Sequence, residues 1–254
     1  MADRKPLIEL DDVRKSYDGA DVLRGVTLDV YAGETLCVIG GSGCGKTVTL
    51  KHMIGLETPD SGRVTFDGRD VASLTPRERV AMRMRFGMVF QGGALFDSMS
   101  VFDNVAFPLR EKTSLGAGDI AKRVEEKLAQ VGLVDMGHKN PAEISGGMRK
   151  RVAIARALVT EPEIVFFDEP TTGLDPILVN TIHRLIQDLH RKFRFTAVMV
   201  SHEIPEIFEI ADRVAMLHEG VIIETGDARS IQNSTNPIVQ QFIHGAVEGA
   251  HHAA

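Results

Sequence analysis

One stretch narrows what this chain of 254 residues can fold into more than any other: Gly40-Gly41-Ser42-Gly43-Cys44-Gly45-Lys46-Thr47. It fits the spacing G-x-x-x-x-G-K-[ST]. The apolar run Leu36-Cys37-Val38-Ile39 precedes it, and Val48-Thr49-Leu50-Lys51-His52-Met53-Ile54 follows as the opening of a helix. A strand, a glycine-rich turn and a helix start, in that order, are the context this pattern needs. Glycines let the backbone curl until several N–H groups face one concavity. The helix start adds unpaired N–H groups and a partial positive charge. Such a concavity suits a nucleotide's phosphates, with Gly40 to Val48 as the cradle. Lys46 would reach the β- and γ-phosphates, and the Thr47 hydroxyl would hold Mg²⁺. The competing reading is a chance match in a glycine-rich turn, and the flanking strand and helix weigh against it. The loop alone leaves open which nucleotide is bound and what work follows.

The net charge of −6 gives no broad basic face of the kind that nucleic-acid binders carry. No apolar run approaches the ~18 residues that span a bilayer. The start, Met1 to Pro6, lacks the apolar core of a signal peptide. A protein of this kind that acts at a membrane sits on its surface and relies on a partner for spanning segments. The two cysteines, Cys37 and Cys44, fall in or beside the loop and read as free thiols of a reducing compartment.

Other stretches supply the rest of an α/β fold. Leu7-Ile8-Glu9-Leu10 and Val26-Thr27-Leu28-Asp29-Val30 read as short strands, with Asp18-Gly19 as a turn between them. Tyr17, just before that turn, is either a half-buried turn aromatic or a platform on which a base stacks. Thr75-Pro76-Arg77-Glu78 starts a helix with a capping box. The arginines at 77, 79, 83 and 85 form a solvated helix face or a partner surface. From Gly92 to about Asn140 the pattern turns helical, with Ile120, Val124, Leu128 and Val131 at helical spacing and Asp119 as its cap. Ser145 caps a further helix, and Gly146 and Gly147 leave its first turn open to an anion.

Ile164-Val165-Phe166-Phe167 reads as a buried strand that ends in Asp168-Glu169. Two carboxylates at a strand end are costly without a cation or a proton-transfer role. Asp168 fits the carboxylate that holds Mg²⁺, and Glu169 fits a base that orients the attacking water. A salt-bridged pair is the plainer reading. His202 follows the buried strand Phe195 to Val200, on the side where open α/β sheets bind ligands. The apolar side of the helix after Asn236-Pro237 has no obvious burial within the chain, so it is expected to reach a neighbouring subunit.

In this order, these pieces resemble the ATPase subunit of an ABC transporter, over Leu7 to about Gly245. Tyr17 matches the adenine-stacking aromatic, residues 40–47 the Walker A loop, and Gln91 the loop glutamine that senses Mg²⁺ and the permease. Ser145-Gly146-Gly147-Met148 matches the family signature, Asp168 and Glu169 the Walker B aspartate and catalytic glutamate, Asp175 the D-loop, and His202 the switch histidine. The resemblance implies a RecA-like phosphate-loop core with an N-terminal antiparallel β-subdomain and an inserted helical subdomain. It implies one domain over 1–245, with core and β-subdomain at about 1–91 and 160–230, the helical part at about 92–159, and a disordered tail at 246–254. It further implies ATP and Mg²⁺ as ligands and a second copy closing face to face. In that dimer the Ser145-Gly146-Gly147 end of one copy meets the γ-phosphate held by the other.

Most of the family has Gln at the position of Met148. A signature ending in Met, the stretches Gln91 to Ser98 and Val101 to Glu111, and the tail Pro237 to Gly245 are similar to the Mla subgroup. That likeness implies a phospholipid cargo moved between inner and outer membrane, and a position on the cytoplasmic face of the inner membrane. It implies a multi-spanning permease, an MCE protein and, in some systems, a STAS-domain protein on the helical lobe. Two alternatives stay open: an ABC transporter for a nutrient or drug, and a soluble ABC protein acting on ribosomes or DNA. The single cassette and the acidic charge weigh against the second.

Overall fold

The computed structural model describes residues 5–251. In chain order its elements are β1 (Ile8–Tyr17), β2 (Ala20–Val30), β3 (Thr35–Ile39), α1 (Lys46–Ile54), β4 (Ser61–Phe66), β5 (Arg69–Asp70), α2 (Pro76–Met84), β6 (Phe86–Val89), α3 (Val101–Lys112), α4 (Ala117–Gln130), α5 (Gly146–Leu158), β7 (Ile164–Asp168), α6 (Pro176–Phe193), β8 (Thr196–Ser201), β9 (Arg213–His218), β10 (Val221–Gly226), α7 (Ala228–Gln232) and α8 (Pro237–His251). They fall into two compact units, one built from the chain up to Arg83 and from Thr196 onward, the other from Met84–Phe195.

The first unit holds an antiparallel sheet in the order β2-β1-β4-β5. Asp18 and Gly19, at φ 50° and 80°, turn β1 back on β2, with Tyr17 opposite Ala20. Two left-handed residues are what a tight hairpin needs. The two strands run the whole hairpin, well beyond the short segments expected from their apolar residues. The cause is a break in register between Leu10 and Val13, with Asp12 at φ 46°. A bulge of this kind interrupts the in-out alternation by which a strand shows itself in a sequence.

In the same unit β3 pairs parallel with β8 and with β9, and β10 returns antiparallel to β9. Every residue of β3 and β8 is buried, as expected of parallel strands covered on both faces. Burying one such Val, Leu or Ile side chain contributes roughly 1.5–3 kcal/mol, which fixes the strand ends from which functional loops emerge. Thr75 and Glu78 form the expected capping box: the Glu78 carboxylate accepts the Thr75 N–H at 2.8 Å, and the Thr75 hydroxyl accepts the Glu78 N–H at 3.3 Å. Arg79 and Arg83 do not form a free basic face. They donate to the carbonyls of Leu74, Ala72 and Gly55. Val239 and Ile243 of α8 are buried within the chain, a burial not expected from the sequence, while Ile238 stays exposed. The backbone of α8 is helical past residue 246 to His251; residues 252–254 of the expected tail lie outside the described residues.

In the second unit β6 and β7 pair in parallel, Phe86 opposite Ile164 and Val89 opposite Phe167. Phe86 and Phe166 meet edge to face at 5.3 Å. Helices α3, α4 and α5 pack through Val105, Leu109, Val124, Leu128, Val152 and Leu158, all buried. Gly116, not Asp119, is the N-cap of α4. Asp119 lies inside the first turn, where a negative charge suits the helix dipole.

Candidate nucleotide site

The first unit carries the phosphate loop. Gly40 and Gly45 have φ of 156° and 106°, a region that L side chains rarely adopt. Packing pins both: a Cβ on Gly40 would stand 2.2 Å from the Leu217 carbonyl oxygen, and one on Gly45 2.7 Å from Leu23. Gly41, Ser42 and Gly43 form the exposed rim. Lys46, the first residue of α1, is buried, and its ammonium donates to the carbonyls of Gly40 and Gly41 at 2.9 Å each. The cation therefore sits inside the curl of its own loop. Thr47 is exposed on the first turn, and Cys44 and Val48 are half-buried. Burial pushes the Cys44 thiol above its ordinary pKa, and the Lys46 charge opposes that only partly. Cys37 is a fully buried free thiol.

Tyr17 ends β1 with 38% of its surface exposed, and the Lys15 ammonium lies 5.5 Å from its ring centroid. His202 is exposed and directly follows β8. The next backbone N–H, of Glu203, donates to the Ser201 hydroxyl at 3.0 Å.

The second unit carries the carboxylates. Asp168 is the last residue of β7 and is buried. Glu169 follows with φ 46°, a left-handed setting that is costly for a non-glycine residue and recurs at functional sites. The structure brings Gln91 to it: Gln91 Nε2 donates to Glu169 Oε2 at 2.9 Å. Thr172 Oγ1 donates to the same oxygen at 3.1 Å. The Ser145 hydroxyl accepts the Met148 N–H at 3.3 Å as the N-cap of α5. Gly146 and Gly147 form the first turn, against Leu174 and Leu178. Asp175 caps α6 by accepting the Leu178 N–H at 3.0 Å.

Three residues that sequence reasoning passed over support this arrangement. Lys150 donates to the Gln91 carbonyl, and Arg156 donates to the carbonyls of Gly93 and Ala94 at 2.6 and 2.7 Å. Both are buried on α5 among apolar neighbours. A cation at a core-facing helical position was the available signal. Asn104, fully buried on α3, holds Phe96, Met99 and Ser100.

Among the described residues no three His, Cys, Asp or Glu side chains gather as metal ligands. The expected oxygen ligands are, in the first unit, the Thr47 hydroxyl and, in the second, the Gln91 amide and the Asp168 carboxylate. Hard oxygen donors of this kind suit Mg²⁺, which uses one or two carboxylates and keeps several waters.

A cation-lined phosphate loop in the first unit, and in the second a strand-end Asp-Glu pair and a serine-capped helix with two leading glycines, are the features that the resemblance to an ATP-binding cassette calls for. Residues 23–172 match the family model described as ABC transporter, and the chain belongs to that family. It is 41% identical over 238 residues to the probable ribonucleotide transport ATP-binding protein mkl of Mycobacterium tuberculosis; the match covers 94% of this chain and 66% of that protein. The chain thus spans just under two thirds of the mycobacterial relative's length. It is 39% identical over 243 residues to the intermembrane phospholipid transport system ATP-binding protein MlaF of Escherichia coli K12, covering 96% of this chain and 90% of that one. Among solved structures it resembles the ATP-binding cassette MJ0796, described as a dimer in a post-hydrolysis state bound to ADP and Pi. That match has a TM-score of 0.79 and 30% identity, over 87% of this chain and 99% of the other.

Proposed function

We propose that this chain is the ATP-hydrolysing subunit of a transporter that moves phospholipid between inner and outer membrane, working as a homodimer on the cytoplasmic face of the inner membrane. The observation that carries the enzymatic part is the Glu169 carboxylate, fixed by Gln91 at 2.9 Å beside the buried Asp168. The cargo rests on likeness to MlaF over 90% of that protein's length. The dimer rests on likeness to the dimeric MJ0796 cassette. A second reading, ribonucleotide transport, is favoured by the name of the mycobacterial relative. It has less support, because the match leaves a third of that protein uncovered.

Lys46 exchanges its two loop carbonyls for the β- and γ-phosphates of ATP, and the backbone of Gly40 to Val48 surrounds them. Tyr17 stacks on the adenine. Thr47, Gln91 and Asp168 would hold Mg²⁺, and the ion would supply positive charge that neutralises the phosphates. Glu169 accepts a proton from the attacking water, and His202 steadies the γ-phosphate. Ser145, Gly146 and Gly147 of the second copy close over that phosphate, and Asp175 lines the same face. The partners this implies are a multi-spanning permease, an MCE protein and a STAS-domain protein on the helical lobe.

The test is Glu169→Gln, purified from detergent-solubilised membranes with whatever it retains. The expected result is bound ATP, turnover slowed about 10²–10⁴-fold, and recovery of a permease, an MCE protein and phospholipid. More than half the normal rate would remove Glu169 from its role. A permease with a different binding protein would discard the cargo.

A further inference from the structure

Glu169 is held by two donors on one oxygen, and the two are tethered differently. Gln91 comes from a loop 78 residues earlier in the chain, so its hold on the carboxylate depends on where that loop sits. Thr172 is three residues away, in a turn closed by its own N–H donating to the Glu169 carbonyl at 3.3 Å. The left-handed φ of 46° at Glu169 and the proline after it steer the chain into this turn. The turn in turn places the Thr172 hydroxyl 3.1 Å from Oε2. The contact with Thr172 is therefore local and persists when the Gln91 loop shifts.

We infer that Thr172 is a positioning residue for Glu169: its hydroxyl fixes the rotamer of the carboxylate that receives the proton of the attacking water. This rests on the reading of Glu169 as that base. A hydrogen bond to an ionised acceptor is among the stronger kinds, and a carboxylate turned away from its water loses the geometry on which proton transfer depends. Thr172 is only half-buried, so its replacement leaves the core intact. Because its hydroxyl meets the Glu169 carboxylate, its loss acts on turnover and not on nucleotide affinity.

The experiment compares Thr172→Val, which keeps the shape and removes the hydroxyl, with Thr172→Ser, which keeps the hydroxyl. The full chain is assayed in the membrane-derived assembly with which it copurifies. ATPase kcat and KM are measured together with the affinity for a fluorescent ATP analogue, with Glu169→Gln as reference. The expected result is a kcat lowered about tenfold in T172V, with KM and analogue affinity within twofold of the native protein and kcat restored in T172S. A T172V enzyme with native kcat beside an inactive E169Q overturns the inference and leaves Glu169 as the base. A raised KM at native kcat, or failure of T172S to restore the rate, also overturns it. An E169Q enzyme that turns over at more than half the native rate overturns the reading of Glu169 itself, and the inference with it.

Discussion

Replacing Asn104 tests how the loop carrying Gln91 is held. The side chain is fully buried and makes four hydrogen bonds. Its Oδ1 accepts the Phe96 N–H at 2.8 Å, and its Nδ2 donates to the carbonyls of Phe96, Met99 and Ser100 at 3.0, 3.2 and 3.0 Å. One donor faces Oδ1 and three acceptors face Nδ2, so only one orientation of the amide satisfies the site. In Asn104→Ala the Phe96 carbonyl keeps the Met99 N–H at 3.1 Å, and the Ser100 carbonyl keeps the N–H of residue 104 at 2.9 Å. The Phe96 N–H and the Met99 carbonyl lose the partner supplied by the side chain. Each stripped group costs about 1–3 kcal/mol. The loop lies at the surface, where water re-satisfies part of the loss, which favours the low end of the summed range of about 2–6 kcal/mol, about 2–3 kcal/mol in total. At about 2–4 °C per kcal/mol for a chain near this size, the melting temperature falls by about 4–12 °C. Asn104→Asp has the native shape but points a carboxylate oxygen at three carbonyls. It is expected to melt below Asn104→Ala at pH 7.5, although it removes no atoms from the core. Scanning calorimetry of the three proteins decides the matter. An Asp variant within 2 °C of the native protein would refute the hydrogen-bond assignment.

Two further outcomes are expected. Lys46→Ala removes both the charge proposed to meet the phosphates and the tie to the Gly40 and Gly41 carbonyls, so tight ATP binding is expected to be lost; unchanged affinity by equilibrium dialysis would contradict the proposed role of Lys46. His183 is buried, and burial pulls its pKa from 6.5 to about 4. The folded chain keeps this group neutral while the unfolded chain protonates it below pH 6.5. Its contribution is therefore complete above pH 6.5 and disappears as the pH falls towards 4, by about 3 kcal/mol at most. Urea midpoints for His183→Leu should fall less between pH 7 and 4.5 than those of the native protein, and parallel curves would contradict the linkage.

What was legible in the sequence was local. The phosphate loop announces itself because a backbone with left-handed Gly40 and Gly45 needs glycine at those places, and the lysine must follow directly to reach into the curl. The Thr75–Glu78 cap is legible for the same reason: donor and acceptor lie three residues apart. Asp119 was misplaced as a cap because Gly116 can serve as an N-cap without a side chain. The extent of β1 was hidden by the bulge at Asp12, which puts polar residues where alternation predicts apolar ones. The ties from Lys150 and Arg156 to the Gln91 loop span about sixty residues of chain. Nothing in either segment specifies the other. The Thr172 contact lies within reach of local reasoning, but it depends on the backbone twist at Glu169, which residue types alone do not reveal.

Helix α5 serves two features of the second unit at once. Its first turn is the Ser145-capped glycine pair, and further along the same rod two cations grip three carbonyls of the Gln91 loop, those of Gln91, Gly93 and Ala94. Lys150 and Arg156 are six residues apart, about 9 Å along the axis, and a helix does not shorten or twist over such a distance without breaking its own hydrogen bonds. The glycine end and the glutamine loop are therefore a single mechanical part, like a handle and the bracket bolted to it. A push of a few ångströms delivered at either one is carried to the other as rigid travel.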